Sequence, residues 1–104
     1  MKISYKNKKL QKKTESYKTM KSSAGDNSTR KIVRALYELE NANCLADIPH
    51  ALMPHPLRGN FKGYFGVWIK HPYRLIFKPI NKFSISDYSS ITEIEITYLS
   101  YDYH

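Results

Sequence analysis

The hydrophobic period changes once along this chain. As far as about residue 45 the apolar side chains recur at helical spacing, and from Phe61 onward they recur at every second position. A chain that runs its helices first and its strands afterwards has few ways to bury both. Ile3 and Tyr5 alternate with polar neighbours and predict a short first strand. Leu10, Thr14 and Tyr17 then fall on one side of a helix from about Asn7, with Lys8, Lys9, Lys12 and Lys13 mostly around the other. A break rich in small and polar residues, Ser22 to Ser28, precedes a second helix whose seam is Ile32, Leu36 and Leu39, widened by Val33, Ala35, Tyr37 and Ala42. Pro49 resists continuation of that helix, and Pro54 and Pro56 hold the next segment as an extended loop.

In the second half, Phe61, Gly63, Phe65, Val67 and Ile69 alternate with Lys62, Tyr64, Gly66, Trp68 and Lys70. His71-Pro72 marks a tight connection to a partner strand, where Tyr73, Leu75 and Phe77 alternate with Arg74, Ile76 and Lys78. After a polar, turn-rich stretch from Pro79 to Ile91, with a small ribbon expected around Phe83 to Ile85, a last strand through Ile94, Ile96 and Tyr98 runs directly into Tyr101-Asp102-Tyr103-His104. The expectation is one α+β domain over residues 1–104. A short first strand and two N-terminal helices, about 7–45, pack on one face of a mostly antiparallel twisted sheet, about 61–104. That leaves the other sheet face open, with Lys62, Tyr64, Trp68 and Arg74 as candidates to line it. Such a mixture of aromatic and cationic groups is what RNA binding uses.

Charge narrows the partners further. The net charge is +8, and residues 1 to 21 hold eight lysines against the single acid Glu15, whereas the rest of the chain holds nine basic and eight acidic side chains. A basic element on an otherwise balanced domain fits a polyanion, with Lys9 and Lys13 the lysines expected to contact it. No apolar run is long enough for a membrane span or a secretory leader, and a lone Cys44 cannot form an internal disulfide, so a cytoplasmic protein is expected. Cys44, His50 and His55 have no zinc-site spacing, and no metal or cofactor is expected. Neither a Gly-rich phosphate loop nor a serine elbow is present.

Two histidines, an acid, a phenol and arginines remain to be placed. A terminus frays unless it is tied down, so the tail Asp102-Tyr103-His104 following a strand suggests a docked end beside His55 and Arg58. Such an inventory suits RNA cleavage without a metal. Arginine matches phosphate oxygens with a planar fork of donors, and imidazole, with an unperturbed pKa of ~6.5, can both take and give a proton near neutrality. Arg58 and Arg74 are assigned to the phosphate, His55 and His104 to proton transfer, Asp102 to supporting a histidine, and Tyr103 to stacking or hydrogen bonding. His50 and His71 are assigned to packing or solvent.

Four ordered blocks, His55-Pro56-Leu57-Arg58-Gly59, Lys62-Gly63-Tyr64, Tyr73-Arg74-Leu75-Ile76-Phe77 and Asp102-Tyr103-His104, resemble the HigB-type killer toxins of the RelE/ParE superfamily. The resemblance implies the toxin of a type II toxin-antitoxin pair, a metal-independent endoribonuclease that cuts mRNA on the ribosome. It also implies an antitoxin with a helix-turn-helix DNA-binding domain. One departure is visible: Arg58 stands where the family usually has lysine, which keeps the charge and removes a possible proton donor. Two alternatives share the fold, a ParE-like topoisomerase inhibitor that cleaves nothing and an inactive RNA-binding module. The long 79–91 stretch is expected to bear on activity or partner choice.

Overall fold

The computed structural model describes residues 1–52 and 54–102, with Thr19, Ser23 and Ala24 described by their backbone alone. Its order is β1 (Lys2–Tyr5), α1 (Lys8–Thr14), α2 (Tyr17–Ala24), α3 (Asp26–Asn41), β2 (His55–Pro56), β3 (Phe65–Lys70), β4 (Tyr73–Pro79) and β5 (Glu93–Asp102). The five strands form one sheet in the order β1-β5-β4-β3-β2. Among these strands only β1 and β5 run parallel; the other pairs are antiparallel. The expected α+β domain is present, with three differences in its elements.

The first expected helix is two. Asn7 caps α1, its side-chain oxygen accepting the Leu10 N–H at 2.8 Å, and the helix ends at Thr14 before resuming at Tyr17. No residue of α1 is buried, so packing supplies little to hold a longer rod together. Gly25, at a φ of 84°, makes the next break, and Thr29 returns its hydroxyl to the Gly25 carbonyl at 2.6 Å. α3 therefore begins at Asp26, earlier than the cap-rich Ser28 suggests.

α3 supplies most of the helical core. Ile32, Ala35 and Leu39 are fully buried against Phe65, Val67, Leu75, Phe77, Ile94 and Ile96 of the sheet. Val33 and Tyr37 fall about 130° and 170° round the helix from the middle of that stripe and stand in solvent, so the expected seam is narrower than its sequence pattern. The second difference is the start of β3. Gly59–Phe61 forms a 3₁₀ turn, which takes Phe61 and Lys62 out of the strand. The third is β2, two residues long, where the two prolines suggest a loop; His55 pairs with Gly66 and Pro56 with Phe65.

Residues 80–92 are tightly built and belong to the core side. Asn81 donates to the Ser90 carbonyl at 2.8 Å and accepts from the Thr92 and Glu93 amides at 3.2 and 3.1 Å. Ile91 is fully buried, Tyr88 meets Phe65 edge-on at 5.5 Å, and the Leu45 amide donates to the Ile91 carbonyl. In place of a ribbon at Phe83 to Ile85 there is a single bridge between Ser84 and Asp87. No helix among the described residues is long and apolar enough to cross a membrane.

Candidate active site on the open sheet face

Register decides which side chains share the uncovered face. Trp68 stands opposite Arg74, Arg74 opposite Tyr101, Gly66 opposite Ile76, and His55 opposite Gly66. Directly opposed residues point the same way, so His55, Gly66, Trp68, Arg74, Ile76 and Tyr101 lie on one face. The Arg74 guanidinium sits over the Trp68 ring at 4.1 Å. Its stem crosses Gly66: a methyl group there would come within 3.2 Å of Arg74 Cδ and 3.1 Å of Leu57 Cδ2. The absent side chain of Gly66 is thus what lets Arg74 lie flat toward the strand that carries His55.

Around this centre, β5 departs from regular pairing. Between Phe77 opposite Ile96 and Ile76 opposite Tyr98 the register slips by one residue, and it slips again before Arg74 opposite Tyr101. Such bulges turn Tyr98 and Tyr101 to the same side, their ring centroids 4.6 Å apart. Phe61, reaching in from its turn, touches three rings edge-on: Tyr64 at 5.6 Å, Tyr98 at 6.0 Å and Tyr101 at 5.1 Å. Alternation had placed Phe61 among the core-facing strand residues. The spacing 61/64 and 98/101, an aromatic repeated three positions on, is the sequence signal that could have marked this cluster. Ile76 is fully buried although it points to the open face.

The expected site residues divide into groups. His55, Trp68 and Arg74 are half-buried on this face, whereas Asp102, exposed at the end of β5 opposite Tyr73, is one residue out of step with the Arg74 and Tyr101 pair, so alternation turns it toward the other face. Arg58 is exposed and leads the Gly59–Phe61 turn. Tyr64 carries the Lys78 ammonium at 5.7 Å, and Lys62 is exposed beside it. Lys9 and Lys13 are on α1, apart from this cluster; Lys13 lines a hollow of about 390 Å³ between the helices and β5, whose apolar walls include Leu10, Met20 and Ile32. That larger hollow offers little acid-base chemistry. Tyr103 and His104 lie outside the described residues. One further imidazole belongs to the neighbourhood: His71, assigned to packing or solvent, has its ring 5.5 Å from that of Trp68.

Chemically, the face offers a fixed cation, two imidazoles and a platform of rings. A guanidinium held against an indole keeps its donors oriented and its charge permanent, as a phosphate clamp requires. Backbone shape supplies the comparison. The YoeB/ParE toxin from Agrobacterium tumefaciens superposes with a TM-score of 0.61 at 13% identity over the whole of both chains. YoeB from Staphylococcus aureus, in its YoeB-YefM complex, superposes with a TM-score of 0.58 at 17% identity, covering 99% of this chain and 98% of that one; its YoeB dimer gives the same values. The fold is that of the YoeB/ParE-type toxins. No family model matches the sequence, and no curated protein does. At such identities the toxin fold is shared as a scaffold, and the chemistry has to be argued from the residues on it.

Proposed function

We propose that this chain is the toxin of a type II toxin-antitoxin pair and that it cuts mRNA, engaged on the ribosome, without a metal. The observation that carries the reading is Arg74, laid over Gly66 against Trp68 with His55 on the adjoining strand. In the reaction the RNA 2′-oxygen attacks the adjacent phosphorus. A bond from phosphorus to the 2′-oxygen forms as the bond to the 5′-oxygen breaks. One base accepts the 2′-hydroxyl proton, one acid returns a proton to the leaving 5′-oxygen, and the products are a 2′,3′-cyclic phosphate and a free 5′-hydroxyl. Arg74 and Arg58 hold the phosphate and offset its added charge. His55 and His104 exchange the protons, Asp102 supports an imidazole, and Tyr103 binds a nucleotide.

Trp68, Tyr64 and Lys62 receive the RNA strand, while Lys9 and Lys13 add electrostatic grip on ribosomal RNA. The antitoxin partner is proposed by analogy with the Staphylococcus aureus toxin, which occurs in a heterotetrameric complex with YefM; a helix-turn-helix antitoxin is the form the sequence resemblance implies. A ParE-like inhibitor of a topoisomerase is the second reading, because one structural neighbour carries both names. Replacing His104 with alanine separates them. A nuclease loses mRNA cleavage and growth inhibition while still folding and binding its antitoxin; a topoisomerase inhibitor is nearly indifferent.

A further inference from the structure

A second feature of the open face is a hollow of about 310 Å³ toward the β1 side of the sheet, walled in part by the rings of the aromatic cluster, Phe61, Tyr64 and Tyr98. Lys6, Tyr64, Lys78, Glu95, Thr97 and Tyr98 line it. Its size is at the small end of the ~300–1,000 Å³ typical of ligand pockets, enough for one planar ring system. Thr97 is the extra residue of the first β5 bulge, only 7% exposed, and its hydroxyl has no hydrogen-bond partner among the described residues. Buried hydroxyls nearly always find one, and bulges commonly re-aim a side chain beside a functional site. The Lys6 ammonium lies 5.3 Å from the centre of the Tyr98 ring and that of Lys78 5.7 Å from Tyr64, with the Glu95 carboxylate 4.0 Å from Lys78. Ring faces, cations and one carboxylate therefore border the same small space, and Thr97, whose buried hydroxyl has no partner among the described residues, lies in its wall.

We propose that this hollow takes a single unstacked nucleobase of the bound RNA, guanine in preference to the others. The inference rests on the RNA-cleaving reading and adds to it a site that selects sequence. Guanine alone presents two adjacent donors, N1–H and the 2-amino group, and a carboxylate accepts both side by side; among the described residues Glu95 is the only acid lining the hollow. Thr97 completes the recognition through its hydroxyl. Tyr98 and Tyr64 supply the stacking faces, and the ammoniums that rest on them swing to the flanking phosphates when the base arrives. From Arg74 to Lys78 the strand advances by four residues, roughly 14 Å at ~3.4 Å each. That distance corresponds to no more than about four nucleotides stacked at ~3.4 Å, and to fewer when the strand is extended.

The test is a titration of the full 104-residue chain with GMP and with UMP, followed by backbone amide shifts. GMP should perturb Glu95, Thr97 and Tyr98 and bind about tenfold more tightly than UMP, as expected for hydrogen bonds to a charged acceptor. Thr97→Val keeps the shape, loses the hydroxyl, and should weaken GMP about fivefold without lowering the melting temperature. Glu95→Gln should erase the preference for GMP over UMP. Equal binding of the two nucleotides, GMP shifts on another face, or unchanged GMP affinity in Thr97→Val would each overturn the proposal. Arg74→Ala serves as the separating control: it should lower RNA cleavage by about 10²–10³ and leave GMP binding intact. A wild-type chain that cleaves RNA but fails the titration thus sinks this inference alone, whereas one that binds GMP but cleaves nothing sinks the nuclease reading and leaves only a guanine-binding hollow.

Discussion

Arg74 owes its position to a side chain that is absent. Because a methyl group on Gly66 would meet Arg74 Cδ at 3.2 Å and Leu57 Cδ2 at 3.1 Å, Gly66→Ala forces small shifts in two flexible side chains. The expected outcome is a melting temperature that barely moves and a cleavage rate lowered about tenfold, since displacement by ~1 Å at a reacting centre can cost ~10²-fold. Arg74→Ala should lower the rate by about 10²–10³, the range for removing one group that stabilises developing charge. Arg74→Lys should recover part of it, because a lysine keeps the charge and loses the planar fork that lies on Trp68. Steady-state rates on one RNA substrate check all three. Trp68 and Arg74 were legible in the sequence, since alternation assigns a strand residue to a face. Gly66 was not, because the need for an empty position depends on what crosses it.

Elements give a different record. Long periodic segments declared themselves, and the short or cooperative ones did not. β2 has two residues and no pattern to read; it exists because Gly66 and Phe65 of β3 offer it backbone partners. The 79–91 stretch, expected to bear on activity or partner choice, is fastened to the core side by Ile91 and Tyr88, opposite the face that carries Arg74. Phe61 was misplaced because its turn interrupts the alternation just where it begins. Phe61→Ala removes three ring pairings, and it should destabilise the fold by about 2 kcal/mol, measured by denaturant unfolding.

The joint between α2 and α3 is electrostatic. The Tyr17 hydroxyl donates to Asp26 at 2.6 Å, and Arg30 approaches the same carboxylate at 3.2 Å. That hydrogen bond, reinforced by Arg30, holds the Asp26 carboxyl below its ordinary value of 3.8. A depressed carboxyl stabilises the fold above the unfolded value and loses that contribution as pH falls through the lower, folded one. Wild type should therefore melt higher than Asp26→Asn near neutral pH, with the gap closing below a pH of about 3.8. Paired thermal melts across that range check the sign.

At the scale of the whole molecule, charge and chemistry occupy different elements. α1 buries none of its residues and exposes Lys8, Lys9 and Lys12, while the open sheet face holds the arginine, imidazoles and rings. This division suits a large polyanionic partner gripped at one place and a single strand processed at another. Replacing Lys8, Lys9 and Lys12 with glutamate should weaken ribosome binding and flatten its dependence on salt by about one unit of slope for each phosphate no longer neutralised. Binding measured at several salt concentrations gives that slope directly. The most direct test of the account is cleavage itself. Purified chain added to a translating extract should leave mRNA fragments ending in 2′,3′-cyclic phosphates, and Arg74→Ala, folded to the same melting temperature, should leave almost none. Intact mRNA with the wild-type chain, or full cleavage by Arg74→Ala, would contradict it.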